Sequence, residues 1–374
     1  MSNATKPTKR VFVSDIHMNE GRSHGNTKKS NSKKGKTKKH PYEWLGKKEV
    51  KRFAEFLAYM NQQDDVSEFI LLGDALDDWV YPVDEVPPSL DDILAAPINK
   101  PIMKQLKTMS KNKRVVYLPG NHDMGMTAEI LHRHLPEMAF GGSAMRDSVY
   151  RTSRLRAEHG SAHAMFNAPM PPSNDGTRLP LGYYISRVVA FRERESGNKD
   201  RHYWAHAIEQ LFKYGPQTLA AYVFEVVLSE AGLSGDTVIK MPTVGGQKRS
   251  ITAAEVTERY KNLYEQWEEM YGPGQAFKAV LAEVGQLGIL ADGLCQQSDT
   301  NIVIFGHSHD WKLDKDSWFV DERLYANCGT WCEEDRPCTY VQTEKDDENR
   351  THKVKVFKWV EQKPELLDEE EISR

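Results

Sequence analysis

Short apolar runs alternate with an amphipathic stretch in the first third of the chain. Residues 11–15, 69–74 and 114–123 each contain consecutive apolar side chains and end on polar ones, which is typical of buried strands. Between the first two runs, apolar residues recur every three or four positions over residues 47–63, which predicts a helix with one buried face. Strands that alternate with helices indicate an α/β fold whose sheet is covered on its faces.

The hydrophobic pattern becomes mostly helical over residues 180–297. One helical stretch there, residues 252–272, begins with Thr252 and Glu255 at the spacing of a capping box. We therefore predict a sheet-based core in two parts, with a helical insertion between them. Apolar runs typical of strands return at 302–305, 323–327, 338–343 and 352–360. The predicted boundaries are 1–175 for the first part, 176–297 for the insertion and 298–374 for the second part.

Composition narrows the class of protein without naming a function. The 374 residues are 39% hydrophobic and 28% charged, which is ordinary for a globular protein. Four cysteines are too few for a disulfide scaffold and favour a reducing, cytoplasmic location. No apolar run approaches the length of a membrane span, and the first residues lack the apolar stretch of a signal peptide.

Charge is concentrated in two segments. Residues 21–42 carry seven lysines and one arginine without any acidic residue, and residues 365–371 contain five acidic residues. The lysine-rich loop at 27–39 could bind a nucleic-acid backbone, although it lacks interleaved aromatic residues for base stacking. We expect both segments to be solvated and mobile.

Metal-binding residue types follow the predicted strands. Because the carboxyl ends of strands meet at one edge of an open α/β sheet, these side chains are expected to converge there. Oxygen and imidazole ligands without a thiolate suit Mn²⁺, Fe or Zn²⁺. Aspartate, histidine and asparagine side chains stand at Asp15, His17, Asp74, Asp77, Asn121, His122, His159, His307 and His309.

Five short motifs in this order resemble those of the calcineurin-like metallophosphoesterases. The motifs read D-x-H at 15–17, G-D-x-x-D at 73–77, G-N-H-D at 120–123, H-G at 159–160 and G-H-x-H at 306–309. The resemblance covers about residues 1–160 and 300–360. It implies a layered α/β-β/α sandwich and a site for two divalent metal ions, Mn²⁺ above all, with Fe, Zn, Ni or Co as alternatives.

The resemblance also implies a role for each motif residue. Asp74 would bridge the two ions. His122 would bind no metal but protonate the leaving group, held by Asp77, while a hydroxide that bridges the metals would attack phosphorus. One ion would take Asp15, His17, Asp74 and His309, and the other would take Asp74, Asn121, His159 and His307.

The motifs leave the substrate open. The G-D-x-x-D motif continues with Asp78 and Trp79 rather than with the Arg-Gly of protein phosphatases, and both histidines of G-H-x-H resemble the phosphodiesterase, nuclease and pyrophosphatase branches. The stretches LLGDALDDW and ANCGTW resemble the UDP-2,3-diacylglucosamine diphosphatase-like group, but the sequence Ser161-Ala-His163 and the long insertion depart from it. Hydrolysis of a phosphoester, phosphodiester or pyrophosphate bond is expected. The alternatives are a metal-dependent nuclease and a non-catalytic scaffold. A scaffold that had lost its metals should lack some ligand residues of the motifs, and here all of them are present.

The insertion is expected to cap the site, because it leaves the core after His159 and rejoins it before His307. An oligomerisation module is the alternative. His163 and Arg178 are candidate substrate-binding residues, and further arginines at 187, 192, 194 and 201 could also reach an anionic group. Cys328, Cys332 and Cys338 fit no standard zinc pattern and are expected to be buried near the site. His202 and His206 are expected in packing or surface roles.

Overall fold

The computed structural model describes residues 9–23, 40–141, 148–169, 179–197, 219–244, 246–283, 285–296, 299–316, 322–345 and 350–373. The strands are β1 (Lys9–Val13), β2 (Val66–Leu72), β3 (Arg114–Leu118), β4 (Ala139–Phe140), β5 (Val149–Thr152), β6 (Arg154–Glu158), β7 (Val238–Val244), β8 (Gln247–Thr252), β9 (Thr300–Phe305), β10 (Trp311–Asp316), β11 (Arg323–Cys328), β12 (Thr339–Lys345), β13 (Thr351–Val360) and β14 (Lys363–Glu371). The helices are α1 (Lys47–Asn61), α2 (Leu90–Ala95), α3 (Lys100–Asn112), α4 (Ala128–His134), α5 (Leu181–Ser196), α6 (Leu219–Glu230), α7 (Ala253–Tyr260), α8 (Leu263–Tyr271), α9 (Pro273–Glu283) and α10 (Gly288–Gln296).

Two sheets form the core. The larger has the strand order β14-β13-β12-β1-β2-β3-β4, in which β1 to β4 are parallel and β12 to β14 continue from β1 in antiparallel pairs. The smaller has the order β10-β11-β9-β6-β5, with a parallel centre of β6, β9 and β11. The carboxyl ends of β1, β2 and β3 therefore lie at one edge, as do those of β6 and β9 in the second sheet.

Consecutive residues of the central strands face two different cores. In β1, Val11 and Val13 pack with helices α1 and α3, while Phe12 packs between the two sheets. Strand β2 repeats this division with Phe69 towards the helices and Ile70 towards the other sheet. Both faces of these strands are buried here, which is why residues 11–13 and 69–72 are consecutive apolar side chains. The predicted layered α/β-β/α sandwich is confirmed.

Helix α1 covers the larger sheet and supports the loop that precedes it. The Glu49 side chain accepts the backbone N–H of Gly46 at 3.1 Å, which closes the first turn. On the buried face, the Phe56 ring lies 4.5 Å from that of Trp331 and 6.1 Å from that of Phe69, measured between centroids. Truncating such a buried ring to alanine lowers the free energy of unfolding by roughly 3–5 kcal/mol, so these contacts hold α1 firmly on the sheet.

The acidic tail is ordered, and the prediction that it would be mobile is wrong. Residues 363–371 form strand β14, which pairs with β13. Lysines of β13 lie opposite acidic residues of β14, with Nζ–Oε distances of 3.3 Å for Lys353 and Glu371 and 2.8 Å for Lys358 and Glu365. The opposite charges of the neighbouring strand thus compensate the acidic run. The lysine-rich loop at 27–39 lies outside the described residues.

The elements between α5 and α9 have a hydrophobic core of their own. This core also includes Trp79, Met165 and Phe166 from the segments that follow β2 and β6. Helical periodicity did not predict the hairpin β7–β8, and the stretch predicted as one helix at 252–272 divides into α7 and α8. The domain boundaries at 175/176 and 297/298 remain a prediction. Among the described helices, none is long and apolar enough to span a membrane.

Candidate metal centre

The candidate ligands lie on turns that directly follow the strands. Five of them have a left-handed backbone, with φ between 50° and 69°, a conformation that is costly for residues other than glycine. Neighbouring turns hold these conformations, because the backbone N–H of Asp15 donates to Gly73 O at 3.2 Å and that of His17 donates to Asp74 O at 2.9 Å. The five residues are Asp15, His17, Asp74, His307 and His309.

Four side chains surround a first position. His17 Nε2 lies 3.2 Å from His309 Nε2, 3.9 Å from Asp15 Oδ1 and 3.9 Å from Asp74 Oδ2. Asp15 Oδ1 and His309 Nε2 are 3.2 Å apart. Ligands bound about 2.1 Å from one ion lie about 3.0–3.4 Å apart, so these donor atoms are spaced nearly as the ligands of one ion are.

A second position lies on the other side of Asp74. Asp74 Oδ2 is 3.0 Å from His159 Nε2, which is 3.2 Å from Asn121 Oδ1. Asp74, His159 and His307 offer ligand atoms that all lie within 4.8 Å of one another. Asp74 therefore belongs to both groups, and all seven residues predicted as ligands come together at one edge of the core.

Glycines leave room for this arrangement. A Cβ atom on Gly120 would lie 2.3 Å from Asp74 Oδ1, and one on Gly73 would lie 2.4 Å from the His159 ring. Any side chain at either position would displace a candidate ligand, because contacts this short do not occur. The glycines of the G-D-x-x-D and G-N-H-D motifs thus have a steric function at the site.

The carboxylates give the cluster a strong affinity for positive charge. Burial alone would lower the pKa of His17, but Asp15 and Asp77 raise it to about 10. In the same way, burial is outweighed by Asp74 and Asp15 at His159 and by Asp15 and Glu333 at His309, where each pKa rises to about 9. In contrast, burial and the neighbouring His159 lower the pKa of His307 to about 3. Without metal, His17, His159 and His309 thus hold protons, and these positive charges lie at the positions that divalent ions would occupy.

Asp77 holds two histidines at once. His122 Nδ1 donates to Asp77 Oδ1 and His17 Nδ1 donates to Asp77 Oδ2, each at 3.0 Å. Burial alone would raise the pKa of Asp77, but His122 and His17 hold it well below its usual range, so the carboxylate stays ionised. His122 is further fixed by its backbone N–H, which donates to Asp74 Oδ1 at 2.8 Å. The contact of Asp77 with His17 was not predicted from the sequence.

Two tryptophans enclose these histidines. The Trp44 ring lies 4.3 Å from the His17 ring and 5.7 Å from the His122 ring, and the Trp79 ring lies 4.6 Å from the His122 ring. Only Trp79 follows a motif, and the sequence favoured a core role for it. Trp44 precedes α1 and carried no signal, because its position over the site depends on how that loop folds.

The sequence did not predict several further neighbours of the candidate ligands. His309 Nδ1 donates to Glu333, and Asn121 Nδ2 donates to Asn167 Oδ1 at 3.2 Å. Cys332 is buried as expected, but its thiol also lies within 4.8 Å of ligand atoms of His17 and His309. Glu333 and Cys332 directly follow the ANCGTW stretch, so that stretch was the one available signal.

The predicted substrate-binding residues have mixed outcomes. His163 Nε2 lies 3.4 Å from Glu158 Oε1, and its role towards a substrate remains a prediction. Arg187 is fully buried and donates to carbonyl oxygens of Pro82 and Lys240, each at 2.8 Å, so the expectation that it reaches an anionic group is wrong. Arg194 is likewise occupied by Asp84 and Glu85. Arg178, Arg201, His202 and His206 lie outside the described residues.

One protein family and several solved structures are similar to this chain. The family described as calcineurin-like phosphoesterase matches residues 8–311. A dimetal phosphatase from Danio rerio is similar with 12% identity and a TM-score of 0.42, covering 99% of both chains. A conserved uncharacterized protein from Streptococcus pneumoniae, described as a predicted phosphoesterase, has 12% identity and a TM-score of 0.31, covering 99% of this chain and 100% of its own. No curated protein sequence matches the chain significantly.

The family match and the site lead to the same conclusion. The matched residues 8–311 contain all five motifs, and the fold brings their side chains to one edge of the two sheets. This family implies a site for two divalent metal ions, and the histidine and aspartate clusters provide its candidate ligands. The chain therefore belongs to the calcineurin-like phosphoesterases and is a hydrolase that acts on phosphoester bonds.

Proposed function

We propose that the protein binds two divalent ions, Mn²⁺ first among them, and hydrolyses a phosphodiester or pyrophosphate bond in preference to a monoester. The observation that carries the metal site is the place of Asp74 between two ligand groups, and the preferred bond type rests on the two histidines of G-H-x-H, which resemble the phosphodiesterase and pyrophosphatase branches. Asp74 Oδ2 is 3.9 Å from His17 Nε2 on one side and 3.0 Å from His159 Nε2 on the other. A carboxylate so placed is suited to bind two ions at once.

The Asp15 carboxylate supports a cation at the first position. Asp15 is fully buried, and its Oδ1 atom has no hydrogen bond among the described residues, although His309 Nε2 lies 3.2 Å away. A buried carboxylate needs a compensating positive charge, and a divalent ion held with His17 and His309 would supply it. In the proposed assignment the first ion takes Asp15, His17, Asp74 and His309, and the second takes Asp74, Asn121, His159 and His307.

The residues around the ions would perform the remaining chemistry. When bound, two divalent ions supply positive charge for the phosphoryl oxygens and lower the pKa of the attacking water. His122 would donate a proton from Nε2 to the leaving oxygen, since its Nδ1 proton is engaged by Asp77 at 3.0 Å. Trp44 and Trp79 would keep the His122 ring in place and limit the access of water.

We also propose that the insertion determines which substrate enters. Tyr183 of α5 contacts Trp79 with a centroid distance of 5.9 Å, and Trp79 packs on His122. Residues of the insertion are thus two contacts away from the proposed proton donor.

The four cysteines are all free, which supports the cytoplasm as the proposed compartment.

A substrate panel tests the proposal. Metal-free protein is supplied with Mn²⁺ and offered para-nitrophenyl phosphate, its bis-ester, a cyclic nucleotide, a UDP-sugar and single-stranded DNA. We expect metal-dependent hydrolysis that is faster for the bis-ester or the UDP-sugar than for the monoester. Cleavage of DNA alone would identify a nuclease, and no hydrolysis of any compound would contradict the proposed activity.

A further inference from the structure

A chain of hydrogen bonds connects the insertion to Asn121. Asn121 Nδ2 donates to Asn167 Oδ1 at 3.2 Å, and Asn167 Nδ2 donates to Glu283 Oε2 at 2.9 Å. Glu283 is the last residue of α9, and its other oxygen accepts the backbone N–H of Phe166. At the opposite end of the chain, Asn121 Oδ1 lies 3.2 Å from His159 Nε2.

The direction of these bonds follows from the carboxylate. An ionised carboxylate only accepts hydrogen bonds, so Asn167 must turn its NH₂ group towards Glu283 and its oxygen towards Asn121. Asn121 must then turn its own NH₂ group towards Asn167. Its oxygen is left to face the second metal position, beside His159. An amide in the reversed orientation would present N–H groups there and could not bind a cation.

Asn121, Asn167 and Glu283 form a hydrogen-bond relay, and two helices of the insertion hold this relay in place. The backbone N–H of Gly182, in α5, donates to Phe166 O at 2.7 Å. A Cβ atom on Gly182 would lie 2.6 Å from Asn167 Oδ1, so only glycine leaves room for this amide. From α9, Ala279 O accepts the backbone N–H of Met165 at 3.2 Å. The segment that carries Asn167 is therefore clamped between α5 and α9.

We propose that Glu283 and Asn167 are positioning residues that orient the Asn121 amide, so that the insertion sets the metal affinity of the second position. The inference rests on the proposed function, since it assigns Asn121 to a metal ion. Reversing the donor at one end of these hydrogen bonds must reverse the amide at the other end.

The test uses variants that keep the shape of the relay. In Glu283→Gln, the new amide oxygen accepts from Phe166 and the new NH₂ group faces Asn167, which reverses both asparagines. We expect the second equivalent of Zn²⁺ to bind 10- to 100-fold more weakly, as measured by calorimetry. In the double variant Asn167→Asp with Glu283→Gln, the carboxylate at 167 accepts from both sides, and affinity should return to within a fewfold of the wild type.

The measurements are made at about pH 8.5, because burial raises the pKa of Glu283 to about 8 against the effect of its N–H donors. Glu269→Gln changes the charge at an exposed site of α8 and serves as the matched control. Unchanged affinity in Glu283→Gln, or a double variant no better than the single one, would overturn the relay. Wild-type protein that fails to bind two ions would instead contradict the proposed function.

Discussion

Asp77 is the residue on which the predicted binding and catalytic roles converge. Its two carboxylate oxygens accept from His17 and His122, each at 3.0 Å, and Oδ1 also accepts the backbone N–H groups of Trp79 at 2.9 Å and Val80 at 3.0 Å. One carboxylate thus orients a proposed metal ligand and the proposed proton donor. Substitutions at His122 and at Asp77 should therefore have different consequences.

His122→Ala should keep both metal ions and lose turnover by roughly 10²–10⁴-fold, because it removes only the proton donor. The loss should be greatest for alkyl esters, whose leaving groups need a proton more than nitrophenolate does. Rates for a nitrophenyl and an alkyl ester, with metal content measured on the same samples, check this. Equal losses for the two esters would exclude general-acid catalysis by His122.

Asp77→Asn should impair metal binding as well as turnover. The asparagine side chain has only one oxygen, so it cannot accept the hydrogen bonds of both histidines. The ring of His17 therefore loses its orientation. We expect roughly 10- to 100-fold weaker binding of one ion, in addition to a loss of turnover. Calorimetric titration of His122→Ala and Asp77→Asn side by side separates the two effects. Metal affinities that are identical in the two variants would show that Asp77 does not orient His17.

The sequence indicates which motif residues the structure brings together, but not the neighbours of these residues. Asp15, His17 and Asp74 stand in short motifs, where the order of residue types along the chain is informative. Asn167 and Glu283 are 116 positions apart and meet only through folding. No local pattern indicates that an asparagine will orient another asparagine, so such partners emerge only from the structure.

At the scale of elements, Arg187 fastens α5 to the loop after β2, together with Arg194, which pairs with Asp84 and Glu85. Arg187 donates to the carbonyl oxygens of Pro82 and Lys240, each at 2.8 Å, and to the Tyr183 hydroxyl at 2.8 Å. It also donates to the carbonyl oxygens of Tyr81 and Glu85. The loop so held carries Trp79, which packs on His122. Helix α5 therefore supports the site through the interior of the protein.

Arg187→Met should destabilise the protein by roughly 3 kcal/mol or more, because several buried carbonyl groups lose their donor. Arg187→Lys keeps the charge but offers fewer donors in a fixed plane, so its loss should be intermediate. Chemical denaturation of both variants measures the free energies of unfolding. A methionine variant as stable as the wild type would show that α5 does not depend on this contact.

Strand pairing explains where the element predictions succeeded and failed. The runs that became β1, β2 and β3 are apolar because both of their faces are buried. Strand β14 carries five acidic residues, and its sequence resembles a solvated tail. Lys353, Lys355 and Lys358 of β13 lie beside acidic residues of β14 and offset their charge, and the sequence of one segment alone does not show that it will pair with another. The hairpin β7–β8 was missed within a region of helical periodicity.

At the scale of the whole molecule, proton and metal binding should compete. His17, His159 and His309 have pKa values raised to about 10, 9 and 9 from 6.5. Without metal, their contribution to stability is complete below about pH 6.5 and is lost as pH rises towards 9–10. Metal binding requires neutral imidazoles and so strengthens over the same range.

The gain in melting temperature on adding Mn²⁺ should therefore increase between about pH 6 and pH 9. The metal-free protein alone should become less stable over that range. Thermal unfolding with a chelator and with Mn²⁺, at matched ionic strength, gives both curves. A metal-induced gain that stays constant or shrinks with rising pH would show that these histidines do not exchange protons for metal.

A comparison of the wild type with Asp74→Asn tests whether Asp74 is shared by two metal ions. Metal-free samples of both are titrated with Mn²⁺ while bound metal and bis-nitrophenyl phosphate hydrolysis are measured together. Wild-type activity should rise with bound metal up to two ions per chain, whereas Asp74→Asn should lose metal and activity together. Two ions bound to the variant, or wild-type hydrolysis that survives complete removal of metal, would contradict a centre built on a shared Asp74.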